Sequence, residues 1–279
     1  MGQIDTLLQQ ESWRFWDQSL SGKSRSALES FAADDLLCHL VGQGMSPATI
    51  RTWVHSNTVV LGIQDHRLPF VDDAQTFLRT QGYSPIVRNS GGLAVVLDEG
   101  VLNISIVLSE MQQAIDISTG YDVMVEFVRL LLPEAEGKIE AYEIVGSYCP
   151  GSYDLSIGGK KFAGISQRRL RQGIAVQVYL CIEGSGSARA ELIRQFYETG
   201  VQGEETKFSY PVINPEVMAS LNELLGTTFT VEDIVIRLQQ VLQHLTSQVV
   251  SQSVTMDEME LYQFYMQRVL DRNKKMLEK

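Results

Sequence analysis

The chain has 279 residues, 44% of them hydrophobic, and a formal net charge of −11 at pH 7. It is long enough to bury a substantial core, and its acidity argues against nucleic acid as a partner, because duplex binding needs a concentrated cationic surface. The three cysteines, Cys38, Cys149 and Cys181, are too few and too widely spaced for a disulfide framework or a zinc cluster.

The amino-terminal stretch MGQIDTLLQQESWRFWDQ mixes polar and acidic residues with apolar ones, and it lacks the continuous hydrophobic run of a signal peptide. No segment is long and apolar enough to span a bilayer. We therefore expect a cytoplasmic protein with reduced thiols and no membrane partner. The sequence predicts neither a metal site nor a cofactor.

The first clear element is a helix in SRSALESFAADDLLCHLVGQG, where apolar residues recur at helical spacing and glycines end the pattern. Cys38 lies on this helix, and packing is its expected role. Four short runs rich in valine and isoleucine follow and are typical of β-strands: TVVLGIQ, SPIVRNS, LAVVLDE and VLNISIVLS. IDISTGYDVMVEFVRLLLPE returns to helical spacing and is closed by Pro133.

A hairpin is predicted next, because YDLSI and KKFAGIS alternate around Gly158 and Gly159, a two-residue connection that tight hairpins prefer. The arginine-rich QRRLRQG is predicted as a turn that leads into the strand IAVQVYLCI. Two amphipathic helices then begin at capping boxes, TVED and TMDE. This order of elements predicts an α+β fold with a mainly antiparallel sheet.

Cys149 differs from the other cysteines in its setting. GSYCPGS places it in a loop among glycine, serine and proline, where the thiol is accessible, whereas packing cysteines more often lie inside apolar elements. The return of the hairpin can bring the ammonium of Lys161 near the sulfur, and a neighbouring cation favours the nucleophilic thiolate. A reactive pair and a small packing residue are both compatible with the residues alone.

Two further stretches leave two interpretations open. Ser90, Gly91 and Gly92 form either a plain turn or a loop that lets a ligand approach the backbone closely. The basic cluster in QRRLRQG is either a solvated turn or a local cationic surface in an acidic protein.

Two of these stretches carry a resemblance to a known superfamily. RNSGGLAVVLDEGVLNISIV resembles the first block of the biotin/lipoate ligase and transferase superfamily, in which an arginine, a glycine-rich turn and an Asn-x-Ser strand line the acyl pocket. GSYCPGSYDLSIGGKKFAGISQRR is similar to the second block, whose lysine contacts the acyl group. With LGIQDHRLP, these strings most resemble the octanoyltransferases of Gram-positive bacteria that act on the glycine cleavage H protein.

This resemblance implies a biotin/lipoate protein ligase-like catalytic domain over 44–248, with an N-terminal helical segment over 1–43 packed on it and a C-terminal helical extension over 249–279. It also implies transfer of an octanoyl chain from octanoyl-lysine of the H protein to the lipoyl-domain lysine of 2-oxo acid dehydrogenase acyltransferase subunits.

The resemblance also implies residue roles. Cys149 would hold the chain as a thioester, and Lys161 would activate the thiol and the incoming amine. A second group would shape the acyl pocket: Arg88, Ser90, Gly91, Gly92, Asn103 and Gly164. Three arginines would form a cationic face for the acidic carrier domains: Arg168, Arg169 and Arg171.

Three alternatives remain at this stage. The donor can instead be octanoyl-acyl carrier protein, or the protein can be an ATP-dependent lipoate ligase or a non-catalytic module that binds the carrier. Leu97 and Asp98 stand where many superfamily members have a His-Asp pair, and no lysine-rich adenylation loop is evident. Both departures argue against ATP-dependent ligation.

Overall fold

The computed structural model describes residues 2–277, and within that range it has eight α-helices and eleven β-strands. The helices are α1 (Gln3–Leu8), α2 (Ala27–Gly42), α3 (Val71–Thr80), α4 (Ile117–Leu131), α5 (Gly186–Val201), α6 (Leu221–Leu225), α7 (Val231–Leu245) and α8 (Met259–Leu277). The strands are β1 (Trp13–Gln18), β2 (Thr49–Trp53), β3 (Thr58–Leu61), β4 (Ser84–Val87), β5 (Val95–Leu97), β6 (Val101–Ser109), β7 (Ile139–Ala141), β8 (Leu155–Ile157), β9 (Lys160–Leu170), β10 (Gly173–Cys181) and β11 (Val249–Ser251).

Eight strands form one large sheet in the order β11-β1-β2-β6-β10-β9-β8-β7. All its neighbours are antiparallel except β1, which is parallel to both β2 and β11. Three more strands form a small sheet in the order β4-β3-β5, in which β3 runs parallel to β4 and antiparallel to β5. The predicted α+β fold with a mainly antiparallel sheet is confirmed.

The large sheet has an apolar core on each face, as strands with alternating side chains require. On one face, the even-numbered residues Leu102 to Leu108 of β6 pack against α4 and α7. On the other face, α2 covers the sheet, and the small sheet, α3 and α5 belong to a second core. The cleft between the two sheets lies on this second face.

Local sequence signals explain the predicted helices and the hairpin. The Ser26 side chain caps α2, and Thr230 with Asp233 forms the capping box that begins α7. Gly158 and Gly159 connect β8 to β9 with φ of 58° and 76°, a conformation that glycine adopts without strain.

The ends of the chain differ from the predicted segments. The sequence predicts only helix over 1–43, but this segment also holds β1, whose partners β2 and β11 come later in the chain. β11 likewise adds a strand to the segment predicted as a helical extension. The alternation of apolar and polar residues in WRFWDQ is too short to predict a strand, and β1 pairs with strands that lie far away in the sequence. Residues 1, 278 and 279 of the predicted segments lie outside the described residues.

Contacts between distant parts of the chain fix α8. Arg14 is buried in β1, and its guanidinium donates to both carboxylate oxygens of Glu258 at 2.7 and 2.8 Å, next to the start of α8. Near the other end of α8, the Asn273 side chain accepts a hydrogen bond from the Val87 amide at 2.9 Å. The last helix therefore contacts the residue that precedes Arg88.

The arginine-rich stretch is mostly strand, contrary to the predicted turn. Arg168 and Arg169 lie within β9, which pairs with β10 up to Leu170. The turn consists of Arg171 and Gln172, with φ of 53° and 63°. None of the helices between residues 2 and 277 has the length and apolar character needed to cross a membrane.

His55 is buried just after β2 and gives the fold a dependence on pH. Its ring nitrogens lie 2.9 Å from the Ser30 hydroxyl and 2.9 Å from the Gly22 carbonyl. Burial and, to a smaller extent, the cation of Arg51 together lower the pKa of His55 from 6.5 to about 4. The resulting stability is present above pH 6.5 and is lost as the pH falls toward 4, because the unfolded state then binds the proton first.

We predict that the free energy of unfolding of the native chain falls by about 2 kcal/mol more between pH 7 and pH 5 than that of a His55→Gln variant. Urea denaturation at the two pH values measures the difference. His244→Gln, at an exposed position on α7, should retain the native slope. A native slope in His55→Gln would contradict the assignment.

Candidate active site

Cys149 lies in the loop between β7 and β8, with its side chain half-buried and its backbone at φ 44°. A non-glycine residue in this left-handed region is uncommon, and such residues concentrate at functional sites. By contrast, Cys38 and Cys181 are fully buried in α2 and β10, and burial raises the pKa of both thiols. The predicted packing roles of these two cysteines agree with their positions.

The Cys149 sulfur receives two hydrogen bonds from the loop between β4 and β5. A terminal nitrogen of the Arg88 guanidinium is 3.2 Å from Sγ, and the Leu93 amide nitrogen is 3.1 Å from it. The same guanidinium nitrogen donates to the Leu93 carbonyl at 2.6 Å. A cation and an amide donor at the sulfur both favour its negatively charged form.

The glycine-rich loop is required for this close approach. Gly92 has a φ of 107°, and a Cβ at this position would lie 1.9 Å from the Arg88 guanidinium and 2.9 Å from the Cys149 sulfur. The loop is not a plain turn between adjacent strands, because β4 and β5 lie on opposite sides of β3. Of the two interpretations left open by the sequence, the structure supports the loop that lines a cavity.

Lys161 meets Cys149 at its backbone. Its side chain is fully buried, and its ammonium is 2.9 Å from the Cys149 carbonyl, 3.0 Å from the Tyr148 carbonyl and 3.3 Å from the Ser147 hydroxyl. It also forms an ion pair with Asp154 at 2.8 Å. Burial raises the pKa of Asp154, although the Lys161 ammonium acts in the opposite direction.

The ammonium of Lys161 has three donors, and these four oxygens occupy them. It is therefore not hydrogen-bonded to the sulfur, where the sequence predicts it. The cation that contacts the sulfur is Arg88, which the sequence analysis places in the acyl pocket. Lys160, one residue earlier, is exposed, as expected from the alternation of side chains along a strand.

A cavity of about 250 Å³ opens between the two sheets, and Cys149 lines it. Its volume is near the lower end of ligand pockets, which span roughly 300 to 1,000 Å³. Five of the predicted pocket residues line it: Arg88, Gly91, Gly92, Asn103 and Gly164. Ser90 is buried beside the loop but does not line the cavity, and its hydroxyl has no hydrogen-bond partner among the described residues.

The apolar walls of this cavity were not identified from the sequence. Both sheets and α2 contribute them, and they include Phe31, Trp53, Val60, Val95, Leu97 and Tyr179. Each of these residues lies in a segment whose sequence is typical of a hydrophobic core, so nothing local marks it as part of a pocket. Gly164 leaves room for one of them, since a Cβ there would lie 2.6 Å from the Tyr179 ring.

The three arginines predicted to receive a carrier do not form a uniform cationic face. Arg168 is paired with Asp35 at 2.6 Å, and Arg169 with Glu110 at 3.0 Å. Arg171 is exposed in the turn and has no ion pair within residues 2–277. Two of the three positive charges are therefore locally compensated.

A half-buried thiol with two donors at the wall of a cavity between two sheets is an arrangement suited to acyl transfer. The chain matches the model of the lipoyl protein ligase A/B catalytic domain over residues 26–243, and it belongs to that family. It is similar to the octanoyl-[GcvH]:protein N-octanoyltransferase of Lysinibacillus sphaericus, with 67% identity over 276 residues that cover 99% of each chain.

Two further comparisons extend this result. The chain is 48% identical over 273 residues, 98% of each chain, to the lipoyl-[GcvH]:protein N-lipoyltransferase of Listeria monocytogenes. Its fold resembles that of a putative lipoate protein ligase from T. acidophilum with bound lipoic acid, with a TM-score of 0.67, 15% identity, and coverage of 93% of this chain and 95% of that chain. The predicted lipoate ligase-like fold is confirmed.

We predict that Arg88→Met lowers the rate of alkylation of Cys149 by iodoacetamide at neutral pH by about tenfold or more, because it removes the cation beside the sulfur. Mass spectrometry of the peptide that contains Cys149 measures this rate. The exposed Lys160→Met variant should react like the native chain. An unchanged rate in Arg88→Met would show that the contact does not activate the thiol.

The adjacent lysines offer a matched pair for stability. We predict that Lys161→Met lowers the free energy of unfolding by about 3 to 5 kcal/mol, because it leaves the buried Asp154 without its partner. Lys160→Met should change it by only about 0.5 kcal/mol. Urea denaturation of the two variants tests this difference, and equal effects would contradict a structural role for the buried ammonium.

Proposed function

We propose that the protein is an acyltransferase that exchanges one amide for another through a thioester on Cys149. It moves an octanoyl group from octanoyl-lysine of the glycine cleavage H protein to the lipoyl-domain lysine of 2-oxo acid dehydrogenase acyltransferase subunits. The observation that carries this proposal is the Cys149 sulfur, which lines an apolar cavity with a cation and an amide donor beside it. The relatives named as octanoyl-[GcvH]:protein N-octanoyltransferases support the donor.

In the first step, the thiolate of Cys149 attacks the carbonyl carbon of octanoyl-lysine, and the carbon–sulfur bond forms as the carbon–nitrogen bond breaks. The leaving lysine amine takes up a proton. In the second step, the acceptor amine loses a proton and attacks the thioester, which releases the thiolate. The proton taken up in the first step balances the proton released in the second, so the exchange needs no cofactor.

Arg88 and Leu93 support both steps. The guanidinium and the amide stabilise the thiolate before attack. The same donors are then next to the carbon that has bonded to sulfur, where the oxygen of the tetrahedral intermediate carries negative charge. The apolar wall formed by Phe31, Trp53 and Leu97 holds the hydrocarbon chain away from water.

Lys161 contributes by holding the backbone of the nucleophile. Its ammonium binds the carbonyls of Tyr148 and Cys149, which fixes the strained loop and the direction of the thiol. Its proposed activation of the incoming amine requires release from Asp154 or from one of these carbonyls. Asp154 lines the cavity and is the acceptor for this step: the Lys161 ammonium gives one proton to the Asp154 carboxylate, and the neutral Lys161 amine then takes a proton from the incoming amine.

A second candidate is the transfer of lipoyl instead of octanoyl groups. The Listeria monocytogenes relative, named a lipoyl-[GcvH]:protein N-lipoyltransferase, favours it at 48% identity. The octanoyl assignment rests on the higher identity, 67%, to the Lysinibacillus sphaericus relative. The two functions share the thiol and the cavity, so they differ only in the end of the acyl chain.

Intact-mass spectrometry of the purified protein after mixing with octanoylated H protein tests the proposal. We expect the mass of one octanoyl group on the native chain, its release by hydroxylamine, and its absence from Cys149→Ala. Cys38→Ala, which removes a buried thiol, should still become acylated.

Parallel reactions with lipoylated H protein and octanoyl-acyl carrier protein separate the alternatives. Acylation by the carrier protein alone would overturn the donor assignment, and faster acylation by the lipoylated H protein would favour the second candidate. Transfer by Cys149→Ala with release of pyrophosphate from ATP would overturn the thioester mechanism in favour of a ligase.

A further inference from the structure

Asp65 and Tyr197 lie behind the loop that contacts the Cys149 sulfur, and neither has a role in the chemistry described above. Asp65 is fully buried in a short 3-10 helix over Asp65–Arg67, and it belongs to the string LGIQDHRLP. Tyr197 is buried in α5 and is 2% exposed. The Tyr197 hydroxyl donates to the Asp65 carboxylate at 2.8 Å.

The Asp65–Tyr197 pair is hydrogen-bonded to two backbone amides near the sulfur, those of Gly62 and Ala94. The second carboxylate oxygen of Asp65 accepts from the Gly62 amide at 2.7 Å. The Tyr197 hydroxyl accepts a long hydrogen bond of 3.5 Å from the Ala94 amide. The Gly62 amide is therefore bonded to the Asp65 carboxylate directly, and the Ala94 amide is linked to it through the Tyr197 hydroxyl.

Gly62 and Ala94 are both next to residues of the loop that contacts the sulfur. A Cβ on Gly62 would lie 2.0 Å from the Gly92 carbonyl oxygen, so the two glycines are in close contact. Ala94 follows Leu93, whose amide donates to the sulfur. Consecutive amides of the loop thus bind the sulfur and the Tyr197 hydroxyl, and the second bond limits how far the first can move.

Between Arg88 and β5, side chains support the loop at two other points: the Arg88 guanidinium donates to the Leu93 carbonyl at 2.6 Å, and the Asn89 side chain donates to Asp35 at 2.9 Å. Within the described chain, the amides of Leu93 and Ala94 are the hydrogen-bond donors of the backbone from Asn89 to Ala94, and both use acceptors outside the loop. A segment without its own ladder of hydrogen bonds takes its geometry from such contacts.

From these contacts we propose that Asp65 and Tyr197 are a positioning pair, which holds Gly92, Leu93 and Ala94 at the distance from which the Leu93 amide and Arg88 stabilise the thiolate of Cys149. The proposal rests on the proposed role of Cys149 as nucleophile. Neither residue touches the reacting atoms.

The electrostatics of the pair agree with this role. Burial raises the pKa of Asp65 to about 6, against the opposing effects of the Tyr197 hydroxyl, the Gly62 amide and the Arg88 cation. Both oxygens of this carboxyl group accept hydrogen bonds, one from Gly62 and one from Tyr197, which favours its ionised form. Its negative charge also acts on the buried Arg88 guanidinium, which forms no ion pair within residues 2–277.

The test compares Tyr197→Phe with Tyr210→Phe. Both variants lose one hydroxyl from a stacked pair of rings, whose centroids are 5.5 Å apart. We expect Tyr197→Phe to lower the rate of iodoacetamide alkylation at Cys149 and the kcat of acyl transfer by about tenfold, with KM for the carrier protein unchanged. Tyr210→Phe should match the native chain in all three.

Asp65→Asn provides the second measurement, because it keeps the size of the side chain and removes one acceptor. If the pair acts as a unit, adding Asp65→Asn to Tyr197→Phe should lower the alkylation rate by much less than it does in the native background. This variant also tests the proposal by itself if Tyr197→Phe does not fold.

Native alkylation rates in folded Tyr197→Phe and Asp65→Asn would overturn the proposal, and so would fully additive losses. Alkylation needs no acyl donor, so it reports on the pair even if octanoyl transfer is not observed. If Tyr197→Phe is alkylated more slowly, as predicted, but the native chain transfers no octanoyl group, the proposed function is refuted and the positioning pair is still supported.

Discussion

The site depends on one buried ammonium group. Lys161 binds the carbonyls of two consecutive residues, Tyr148 and Cys149, and its charge is compensated by Asp154. Taking a lysine out of water is costly unless every donor is satisfied, and here four oxygens satisfy it. The loop that carries Cys149 therefore has a fixed left-handed backbone at this residue, and the sulfur is directed toward the loop between β4 and β5.

Both hydrogen-bond donors at the sulfur come from the loop between β4 and β5, which belongs to a different part of the fold. Arg88 and Leu93 lie between β4 and β5 of the small sheet, whereas Cys149 follows β7 and Lys161 lies in β9 of the large sheet. The thiol therefore lies where the two sheets meet, and the cavity is the space that remains between them. The contacts of the sulfur and the shape of the cavity follow from the same packing of one sheet on the other.

Local patterns in the sequence predicted the β8–β9 hairpin, the helices α2, α4, α7 and α8, and the loop position of Cys149, because these depend on neighbours in the chain. The pocket residues were implied by the resemblance to the superfamily, and α3 and α5 were not predicted. The parallel pairing of β1 was missed, since its partners β2 and β11 lie far away in sequence. The contact of Arg88 with the sulfur and the pairing of Arg168 with Asp35 were missed for the same reason. The oxygens that surround Lys161 lie within 14 positions of it, and they were missed because the fold of the loop turns them toward the ammonium. Each of them depends on residues that only the folded chain brings together.

The contacts of α8 have a consequence for biosynthesis. Glu258 pairs with Arg14 across 244 positions, and Asn273 accepts from the Val87 amide across 186 positions. A ribosome releases the amino-terminal part first, so β4, whose last residue precedes Arg88, gains its hydrogen bond to α8 only after that helix has been translated.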